Sequence, residues 1–358
     1  MEKIAYTYRS YGLSVLPIKK GEKRPQIQRW NREFWAKDED VPRLFFNTDI
    51  AIITGEISGN LEVVDFDNHN GQAYEIFKQF INTESIKDII KKYNLPYERT
   101  PSGGYHLFYR CNSISGNTKL AFMIDKDGKR DTSIETRGSG GYVVVAPSTN
   151  YTLKHGSFSE IATITEEERS LILSRCKAFN EVCEEEVKTY GRNVDQKPGD
   201  MFDDNNPREE IVSLLLHNGW KCDRTNTYFT RPGKETGISA TLGVCKRGFT
   251  PLFYVFSSNA FPFESEKSYT PFAVFSILGH GGDFKSAARE LAERYGISNA
   301  KKEVQVAMPS VVVAEANPIP KKESNSKTPV IVDCENYLYR TYEFRYDIVR
   351  NIVESRPK

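Results

Sequence analysis

The chain has 358 residues, of which 39% are hydrophobic and 27% are charged, and its formal net charge is +1. This composition is typical of a globular protein with room for two modest domains, and the balanced charge excludes a protein that binds polyanions over its whole surface. No apolar run approaches the roughly 20 residues of a membrane span, and the N-terminus lacks the apolar core of a signal peptide. We therefore expect a cytoplasmic location.

The six cysteines are scattered and form no Cys-x-x-Cys pair. This spacing argues against a disulfide framework and against a zinc ribbon, so reduced cysteines are expected. They are Cys111, Cys176, Cys183, Cys222, Cys245 and Cys334.

The first part of the chain alternates short elements with a basic loop. Hydrophobic periodicity predicts a helix over residues 2–9, strands over 13–18 and 49–54, and a helix near 30–37. A basic cluster next to a metal site suits a phosphate-bearing ligand, and the alternative is an ordinary solvated surface. The cluster starts in the loop 19–25 and consists of Lys19, Lys20, Lys23, Arg24, Arg29 and Arg32.

The stretch Leu-Glu-Val-Val-Asp-Phe-Asp, residues 61–67, is typical of a buried strand that ends in two carboxylates. Asp65 and Asp67 are two residues apart and therefore face the same side of a strand, at about 7 Å from each other. Because such a pair repels and is costly to desolvate, a cation such as Mg²⁺ or Mn²⁺ is expected between the carboxylates. The alternative is a strand end that enters a solvated acidic turn. Helices are predicted over 71–80 and 85–93.

A second informative stretch, Thr-Pro-Ser-Gly-Gly-Tyr-His, begins at residue 100. Its proline and glycines predict a tight turn, followed by a strand over 105–110. Ser102 and the neighbouring glycine N–H groups could form an anion-binding concavity, with His106 beside it. The alternative is that His106 is a core residue with satisfied hydrogen bonds.

A third stretch covers residues 131–147. It predicts two strands, 131–137 and 142–147, joined as a hairpin by the glycine-rich turn 138–141. Glu135 and Arg137 project from one face, and Asp131 shares that face as a competing carboxylate. A helix is predicted over 165–179, and the charged residues 181–200 are interpreted as a linker.

Taken in order, Val-Asp-Phe-Asp, Ser-Gly-Gly-Tyr-His and Ile-Glu-Thr-Arg-Gly resemble the three motifs of the archaeo-eukaryotic primase superfamily, in particular its primase–polymerase branch of phages, plasmids and mobile elements. The N-terminal Gly-Glu-Lys-Arg-Pro loop, followed by Trp30, and the Ala-Pro-Ser that ends at Ser148 are similar to that branch as well. The resemblance covers about residues 1–180 and implies an α+β catalytic core with mixed or antiparallel sheets and flanking helices.

The resemblance also implies roles for individual residues. Asp65, Asp67 and Glu135 would bind the metal, as two Mg²⁺ or Mn²⁺ ions, although many relatives have Asp at the third acidic position. The triphosphate of the incoming nucleotide would be held by residues of the turn, the following strand and the basic loop, namely Ser102, Gly103, His106, Arg137 and Lys23. This chemistry fits phosphoryl transfer, which needs charge neutralisation and in-line placement more than a strong acid–base pair.

Residues 201–297 predict a second, smaller α+β domain, with helices near 207–218, 271–278 and 284–295 around short strands near 228–231, 239–242 and 252–256. It resembles the accessory domain of mobile-element primase–polymerases and, more loosely, the zinc-binding domain of bacterial primases. Cysteines for a four-ligand zinc site are absent, so we expect no zinc. The alternatives are a protein-interaction module or a single-strand DNA contact through charge and stacking by Arg231, Lys234, Lys246 and Arg247.

The predicted organisation is a catalytic domain at 1–182, linkers at 183–200 and 298–329, the accessory domain at 201–297, and a C-terminal segment at 330–358 that faintly resembles the lead-in to a helicase region. No P-loop motif occurs, so a helicase would be a separate protein or a further part of a longer chain. The sequence thus predicts a primase–polymerase that acts on nucleoside triphosphates and single-stranded DNA template. A non-catalytic replication-origin or single-strand DNA-binding protein and a metal-dependent nuclease are the alternatives.

Overall fold

The computed structural model describes residues 1–28, 30, 33–69, 71–125, 127–182, 197–297, 342–347 and 352–357. The chain divides into two compact units, residues 1–300 and 301–358. In the second unit, strands Tyr342–Asp347 and Ile352–Pro357 pair antiparallel. Most of the predicted linkers and of the C-terminal segment lie outside the described residues. None of the helices in the described part of the chain has the length and apolarity needed to cross a membrane.

The first 180 residues form two sheets with flanking helices. The helices are α1 (Glu2–Ser10), α2 (Val41–Leu44), α3 (Ala73–Asn82), α4 (Glu84–Tyr93) and α5 (Glu166–Lys177). The strands are β1 (Val15–Lys19), β2 (Thr48–Ile53), β3 (Leu61–Phe66), β4 (Tyr97–Arg99), β5 (Tyr105–Cys111), β6 (Thr118–Ile124), β7 (Arg130–Arg137), β8 (Tyr142–Val144), β9 (Thr152–His155) and β10 (Thr163–Ile164).

Strand order places β3 in the middle of the larger sheet. The smaller sheet has the order β1-β2-β8, and the larger has the order β6-β7-β3-β5-β4-β9, with β10 parallel to β5. All other pairings in both sheets are antiparallel. The prediction of an α+β fold with mixed or antiparallel sheets and flanking helices is confirmed.

The alternation of side chains along β3 divides the interior into two cores. Val64 and Phe66 face the core formed with α3, α4 and α5. Leu61 and Val63 face the other side, where they pack against side chains of β1, β2 and β8. Asp65 shares the face of Leu61 and Val63 because residues two apart in a strand point the same way. The acidic end of β3 therefore opens on the side of the smaller sheet.

A buried ion pair joins α5 to the helical face of the larger sheet. Helix α5 begins with a capping box in which the Thr165 hydroxyl accepts the N–H of Glu168 and the Glu168 carboxylate accepts the N–H of Thr165. One turn later, Arg169 donates two hydrogen bonds, of 2.6 and 2.8 Å, to the fully buried carboxylate of Glu62. The hydroxyl of Tyr109 donates a third, at 2.6 Å. These bonds satisfy a charge that would otherwise be costly to bury.

The predicted helix near residues 30–37 is wrong. Residues 30 and 33–37 form turn and irregular structure. The Ser14 hydroxyl donates to the Phe34 carbonyl, and the Trp30 ring packs edge-on against Tyr142 at 5.0 Å. These long-range contacts hold the segment along the smaller sheet and outweigh its local helical pattern. Arg29 and Arg32 of the basic cluster lie outside the described residues.

The predicted hairpin of residues 131–147 is also wrong. Strand β7 pairs with β3 and β6 in the larger sheet, whereas β8 pairs with β2 in the smaller one. The turn between them carries the chain from one sheet to the other. The hydroxyl of Thr54 donates to the carbonyl of Gly138, and a Cβ on Gly138 would lie 2.0 Å from the carbonyl oxygen of Ser115. The glycine is thus required by a close backbone approach.

Residues 197–297 form a five-stranded antiparallel sheet packed against four helices. Its strands follow the order β11-β12-β13-β14-β15, and its aromatic-rich core includes Phe229, Phe253 and Trp220. The elements are α6 (Pro198–Asp204), α7 (Arg208–His217), β11 (Lys221–Cys222), β12 (Tyr228–Thr230), β13 (Ala240–Arg247), β14 (Thr250–Val255), β15 (Lys267–Tyr269), α8 (Pro271–Gly279) and α9 (Phe284–Arg294).

The state of one cysteine differs from the expectation of reduced thiols. Cys245, on β13, is buried and disulfide-bonded. Cys111, Cys176 and Cys222 are free thiols. A cross-link at Cys245 is compatible with scattered cysteines, because sequence spacing does not determine which thiols meet in the fold.

Asp203, at the end of α6, gives a pH-dependent prediction. Its carboxylate is buried, accepts the N–H of Phe272 at 2.6 Å and lies 3.4 Å from Arg247, but burial dominates and raises its pKa from 3.8 to about 6. The folded state therefore disfavours the ionised form. The contribution of Asp203 to the free energy of unfolding is therefore fully present below the pKa that this residue has in the unfolded chain. It is lost as the pH rises from about 4 to about 6.

We expect Asp203→Asn, which keeps an acceptor for Phe272, to remove this dependence. Between pH 4 and pH 7 the difference in unfolding free energy between the two proteins should shift by up to about 3 kcal/mol in favour of the variant. Urea denaturation at several pH values measures this difference. A difference that stays constant over this pH range would contradict the prediction.

Candidate active site

Four polar side chains from four adjacent strands form one row across the larger sheet. Asp65 on β3 is in register with Glu135 on β7 and with His106 on β5, and His106 is in register with Glu98 on β4. Residues directly opposite on antiparallel strands point to the same face of the sheet. The strand order thus brings together residues that are far apart in the sequence.

Asp67 completes a cluster of three carboxylates with Asp65 and Glu135 of this row. One oxygen atom from each of Asp65, Asp67 and Glu135 lies within 4.8 Å of the others. The backbone N–H of Asp67 donates to the carbonyl of Ser133 at 2.9 Å, which keeps the residue aligned with β7 beyond the end of β3. Clustered carboxylate oxygens are the ligands that Mg²⁺ and Mn²⁺ prefer. The cluster can therefore hold a divalent cation.

Asp131, the competing carboxylate, lies outside this cluster. Its carboxylate pairs with Nδ1 of His69, and Nε2 of the same imidazole lies 3.7 Å from Asp67. Glu135 therefore completes the cluster, and Asp131 contacts the cluster only through His69.

The protonation of Asp65 is controlled by cations on both sides. Nε2 of His106 lies 3.4 Å from one carboxylate oxygen, and Nε of Arg137 lies 3.6 Å from the other. Burial alone would raise the pKa of Asp65, but His106, Arg137 and the nearby Lys23 hold this pKa below its usual value. Asp65 is therefore ionised and ready to bind a cation at neutral pH.

Asp67 and Glu135 have the opposite shift. Burial, followed by repulsion from Asp65, raises the pKa of Asp67. Burial also raises the pKa of Glu135, although Arg137 forms an ion pair with its carboxylate. The ionised forms of both groups are thus destabilised by their surroundings, and a divalent cation would relieve that repulsion. The donor set therefore fits a metal.

His106 is held between two carboxylates. Its Nδ1 lies 2.8 Å from Oε1 of Glu98, while Nε2 faces Asp65. Burial alone would lower the pKa of the imidazole, but the two acids outweigh burial and raise it to about 9. His106 therefore carries a positive charge at neutral pH, and the residue is not a neutral core histidine.

Glu98 is fully buried and orients the histidine. Its second oxygen accepts the backbone N–H of Ala146 at 2.8 Å, so both carboxylate oxygens have partners. Burial is the largest influence on this carboxyl and raises its pKa. A buried group with both oxygens engaged fixes the ring orientation of its partner.

A cavity of about 210 Å³ opens beside the row. Two of its lining residues, Lys23 and Arg137, are cationic and stand next to Asp65 and His106. The remaining lining residues are Trp30, Asn117, Gly140, Gly141, Tyr142, Val143, Val144 and Tyr151. The cavity therefore combines an acidic end, cationic walls and aromatic rings.

Two predicted nucleotide-binding residues do not line this cavity. Ser102 and Gly103 form the turn between β4 and β5, where the Ser102 hydroxyl bonds that of Thr100 and the N–H of Gly103 donates to the Thr100 carbonyl. The Asn68 side chain donates to the Ser102 carbonyl at 2.7 Å and ties the turn to the end of β3. The turn thus supports the row from outside, and the predicted anion-binding role of Gly103 would require its N–H to leave Thr100.

Several residues of the site lie outside the three sequence motifs. Glu98 could have been found from the turn Thr100–Gly104, since folding a hairpin about that turn pairs residue 98 with residue 106. Trp30 is part of the resemblance given above, whereas Asn117 and Tyr151 reach the cavity through contacts between distant segments, for which the sequence carries no local signal.

For the nucleotide site predicted from the sequence, we expect Glu98→Gln to weaken nucleotide binding without unfolding the protein. A glutamine offers one acceptor, so it can satisfy either Ala146 or His106, and the imidazole loses its fixed orientation. By analogy with residues that orient metal ligands, the KM for nucleotide should rise by about tenfold, with a smaller fall in kcat. Steady-state incorporation kinetics, with a thermal melt as folding control, measure this. An unchanged KM in a folded variant would refute the positioning role.

Comparison with known proteins places the site in a family. Residues 5–167 match the sequence model of the bifunctional DNA primase/polymerase N-terminal domain. No curated protein has significant sequence similarity to the chain. The matched segment contains all four residues of the row, the third carboxylate Asp67 and the cavity beside them. The resemblance inferred from the three motifs is thereby confirmed for residues 5–167, which match the bifunctional DNA primase/polymerase N-terminal domain.

Proposed function

We propose that the protein is a primase–polymerase, a metal-dependent nucleotidyltransferase that starts and extends primers on single-stranded DNA during replication of a mobile element or phage. The observation that carries the proposal is a cluster of three carboxylates within a primase/polymerase domain, one of which, Asp65, lines a cavity together with three cationic side chains. Nucleoside triphosphates and DNA template are the substrates that such a site would join.

Asp65, Asp67 and Glu135 would hold the metal, which we propose to be two Mg²⁺ or Mn²⁺ ions. When bound, such ions neutralise charge on the reacting phosphate and lower the pKa of the attacking 3′-hydroxyl. Support for this assignment comes from the oxygen-only donor set and from the raised pKa values of Asp67 and Glu135.

The remaining side chains would bind and orient the nucleotide. His106, fixed by Glu98 and positively charged, presents Nε2 at the acidic end of the cavity, where a triphosphate needs charge neutralisation. Lys23 lines the same cavity. In the reaction, the 3′-hydroxyl would lose its proton to solvent as its oxygen bonds the α-phosphorus, and the bond from the α-phosphorus to pyrophosphate would break with its electron pair leaving on pyrophosphate.

Arg137 has a second role in this proposal. Its guanidinium pairs with Asp65 and Glu135, so it neutralises the cluster. Because Arg137 also lines the cavity, we propose that it would contact the nucleotide phosphates as well. The rings of Trp30 and Tyr142, whose centroids are 5.0 Å apart, supply an aromatic wall against which a base can pack.

The accessory domain at 201–297 is proposed to contact the single-stranded template. Phe249 is fully exposed in the turn between β13 and β14, next to Lys246 and Arg247, and this combination suits stacking and phosphate contacts. Arg231 and Lys234 are further proposed contacts. Cytoplasmic action and a helicase partner, separate or in a longer chain, complete the proposal.

Incorporation of labelled nucleotide on a circular single-stranded template tests the function. With Mg²⁺ or Mn²⁺ and no primer, the native chain should make short products, and Asp65→Ala should make none. Asp131→Asn is a matched control, since it removes a nearby carboxylate that lies outside the cluster. Extension of annealed primers only would indicate a polymerase without initiation. If neither assay yields products, the proposal is refuted and a binding protein is favoured. Cleavage of the template would favour a nuclease.

A further inference from the structure

A second cavity, of about 420 Å³, lies between helix α5 and strands β11 and β12. Ser174 and Arg175 line it from α5, and Lys221, Cys222 and Tyr228 line it from the other side. We call it the α5 cavity. Helix α5 packs on the face of the larger sheet opposite to the one that carries Asp65, so this cavity is distinct from the candidate active site.

The α5 cavity is lined by a buried cation, Arg175. Arg175 is 7% exposed, and its Nε has no hydrogen-bond partner. Its guanidinium carbon lies 4.4 Å from the ring centroid of Phe179 and 4.5 Å from that of Tyr228. Within the described residues, no carboxylate forms an ion pair with it. Ring faces stabilise a guanidinium but do not accept its in-plane N–H bonds, so these two rings do not satisfy its hydrogen-bond donors.

Two further cations stand at the same cavity. Lys221 lines it, and the Lys234 ammonium lies next to it, 3.2 Å from where a Cβ on the lining residue Gly237 would be. Burial, followed by repulsion from Arg231, lowers the pKa of Lys234. A bound anion would stabilise cations that are crowded and partly desolvated in this way.

The two carboxylates among the described lining residues, Asp223 and Glu235, do not provide this stabilisation. Asp223 is occupied by its own turn, where it accepts hydrogen bonds from the backbone N–H groups of Thr225, Thr227 and Tyr228. These bonds help to lower the pKa of Asp223 despite partial burial. Glu235 is exposed and forms no ion pair with Arg175, Lys221 or Lys234. On the side of the cavity that Arg175 lines, none of the described carboxylates therefore takes the place of a bound anion.

We infer that the α5 cavity binds a phosphate group, with Arg175 as its anchor. A guanidinium presents N–H donors in a fork that matches two phosphate oxygens, and the two lysines suit a dianion better than a single carboxylate. The phosphate could belong to a free nucleotide or to a nucleic acid strand. This inference rests on the cavity itself and does not depend on the proposed activity.

Cys222 provides a local readout in the native full-length chain. It is a free, partly exposed thiol that lines the cavity, whereas Cys111 and Cys176 are buried. Its alkylation by iodoacetamide is followed at alkaline pH, because burial and then Asp223 raise the pKa of the thiol. The reaction contains EDTA, and the modified peptide is quantified by mass spectrometry. The probes are pyrophosphate, dATP and a single-stranded oligo-dT, with uncharged deoxyadenosine as the negative control.

Saturating phosphate-bearing probe should slow the alkylation of Cys222 by about tenfold, and Arg175→Gln should raise the half-protecting concentration by at least about tenfold. Lys177→Gln is the matched control, since it removes a charge from the same helix at a residue that pairs with Glu266 outside the cavity. Protection by dATP without oligo-dT assigns the phosphate to a free nucleotide, and stronger protection by oligo-dT assigns it to a strand.

The inference is overturned if none of the three phosphate-bearing probes protects Cys222, or if protection is unchanged in Arg175→Gln. If Arg175→Gln does not fold, the native chain alone still tests the inference. Equal protection of Cys222 by dATP and by deoxyadenosine would overturn the phosphate site. The readout requires no synthesis of DNA. Its failure is therefore distinguishable from failure of the proposed primase–polymerase activity.

Discussion

Asp67→Asn is expected to abolish nucleotide incorporation and to leave the melting temperature unchanged or raised. The carboxylate is disfavoured in its ionised form by burial and by Asp65, so a neutral side chain of the same shape removes repulsion. It also removes one of three clustered oxygen donors. Incorporation should fall by about 10³-fold or more, by comparison with the loss of other transition-state charge contacts.

The two measurements must be made on one preparation. Thermal melting without metal reports stability, and primed incorporation with Mn²⁺ reports activity. Asp131→Asn again serves as the control, and we expect it to retain most of the activity. A folded Asp67→Asn protein with native activity would show that the cluster does not perform the chemistry.

Arg169→Met should produce a large loss of stability, although it lies outside the site. It would leave the fully buried carboxylate of Glu62 with the Tyr109 hydroxyl as its remaining partner. Removal of one member of a buried ion pair costs about 3–5 kcal/mol, because the other charge remains desolvated. Urea denaturation measures the change.

A double variant and a surface control separate charge burial from other effects. Glu62→Gln combined with Arg169→Met removes both charges and should recover much of the lost stability. Lys92→Met breaks an ion pair with Glu168 at the surface and should change stability little. Equal losses in Arg169→Met and in the double variant would contradict the role of the buried charge.

The central strand of the site was predictable from the sequence because its pattern is local. Residues 61–67 alternate around an apolar run and end in two carboxylates, and the structure forms β3 over Leu61–Phe66. The turn at 100–104 and the strand with Glu135 are likewise marked by local glycines and alternation. Side-chain alternation then places Asp65 and Asp67 on one face without further information.

Partners across the sheet were not predictable in the same way. The pattern of residues 142–147 indicates a strand, but β8 joins β2 and not β7, because the glycine turn moves the chain between sheets. Strand β4 has only three residues, too few for a periodic signal, so its own sequence gives no indication of the position of Glu98 in the sheet. Helix α5 is polar in sequence, and the burial of Arg175 arises from packing against Tyr228, about fifty residues later in the chain.

Binding of Mn²⁺ is the most direct test that the three carboxylates form the metal centre. Equilibrium dialysis monitored by electron paramagnetic resonance would compare the native chain, the variant carrying Asp65→Asn, Asp67→Asn and Glu135→Gln, and Asp131→Asn. We expect the native chain and the Asp131 variant to bind Mn²⁺ and the triple variant to lose that binding while it remains folded. Equal Mn²⁺ binding by a folded triple variant would contradict the assignment and, with it, the proposed mechanism.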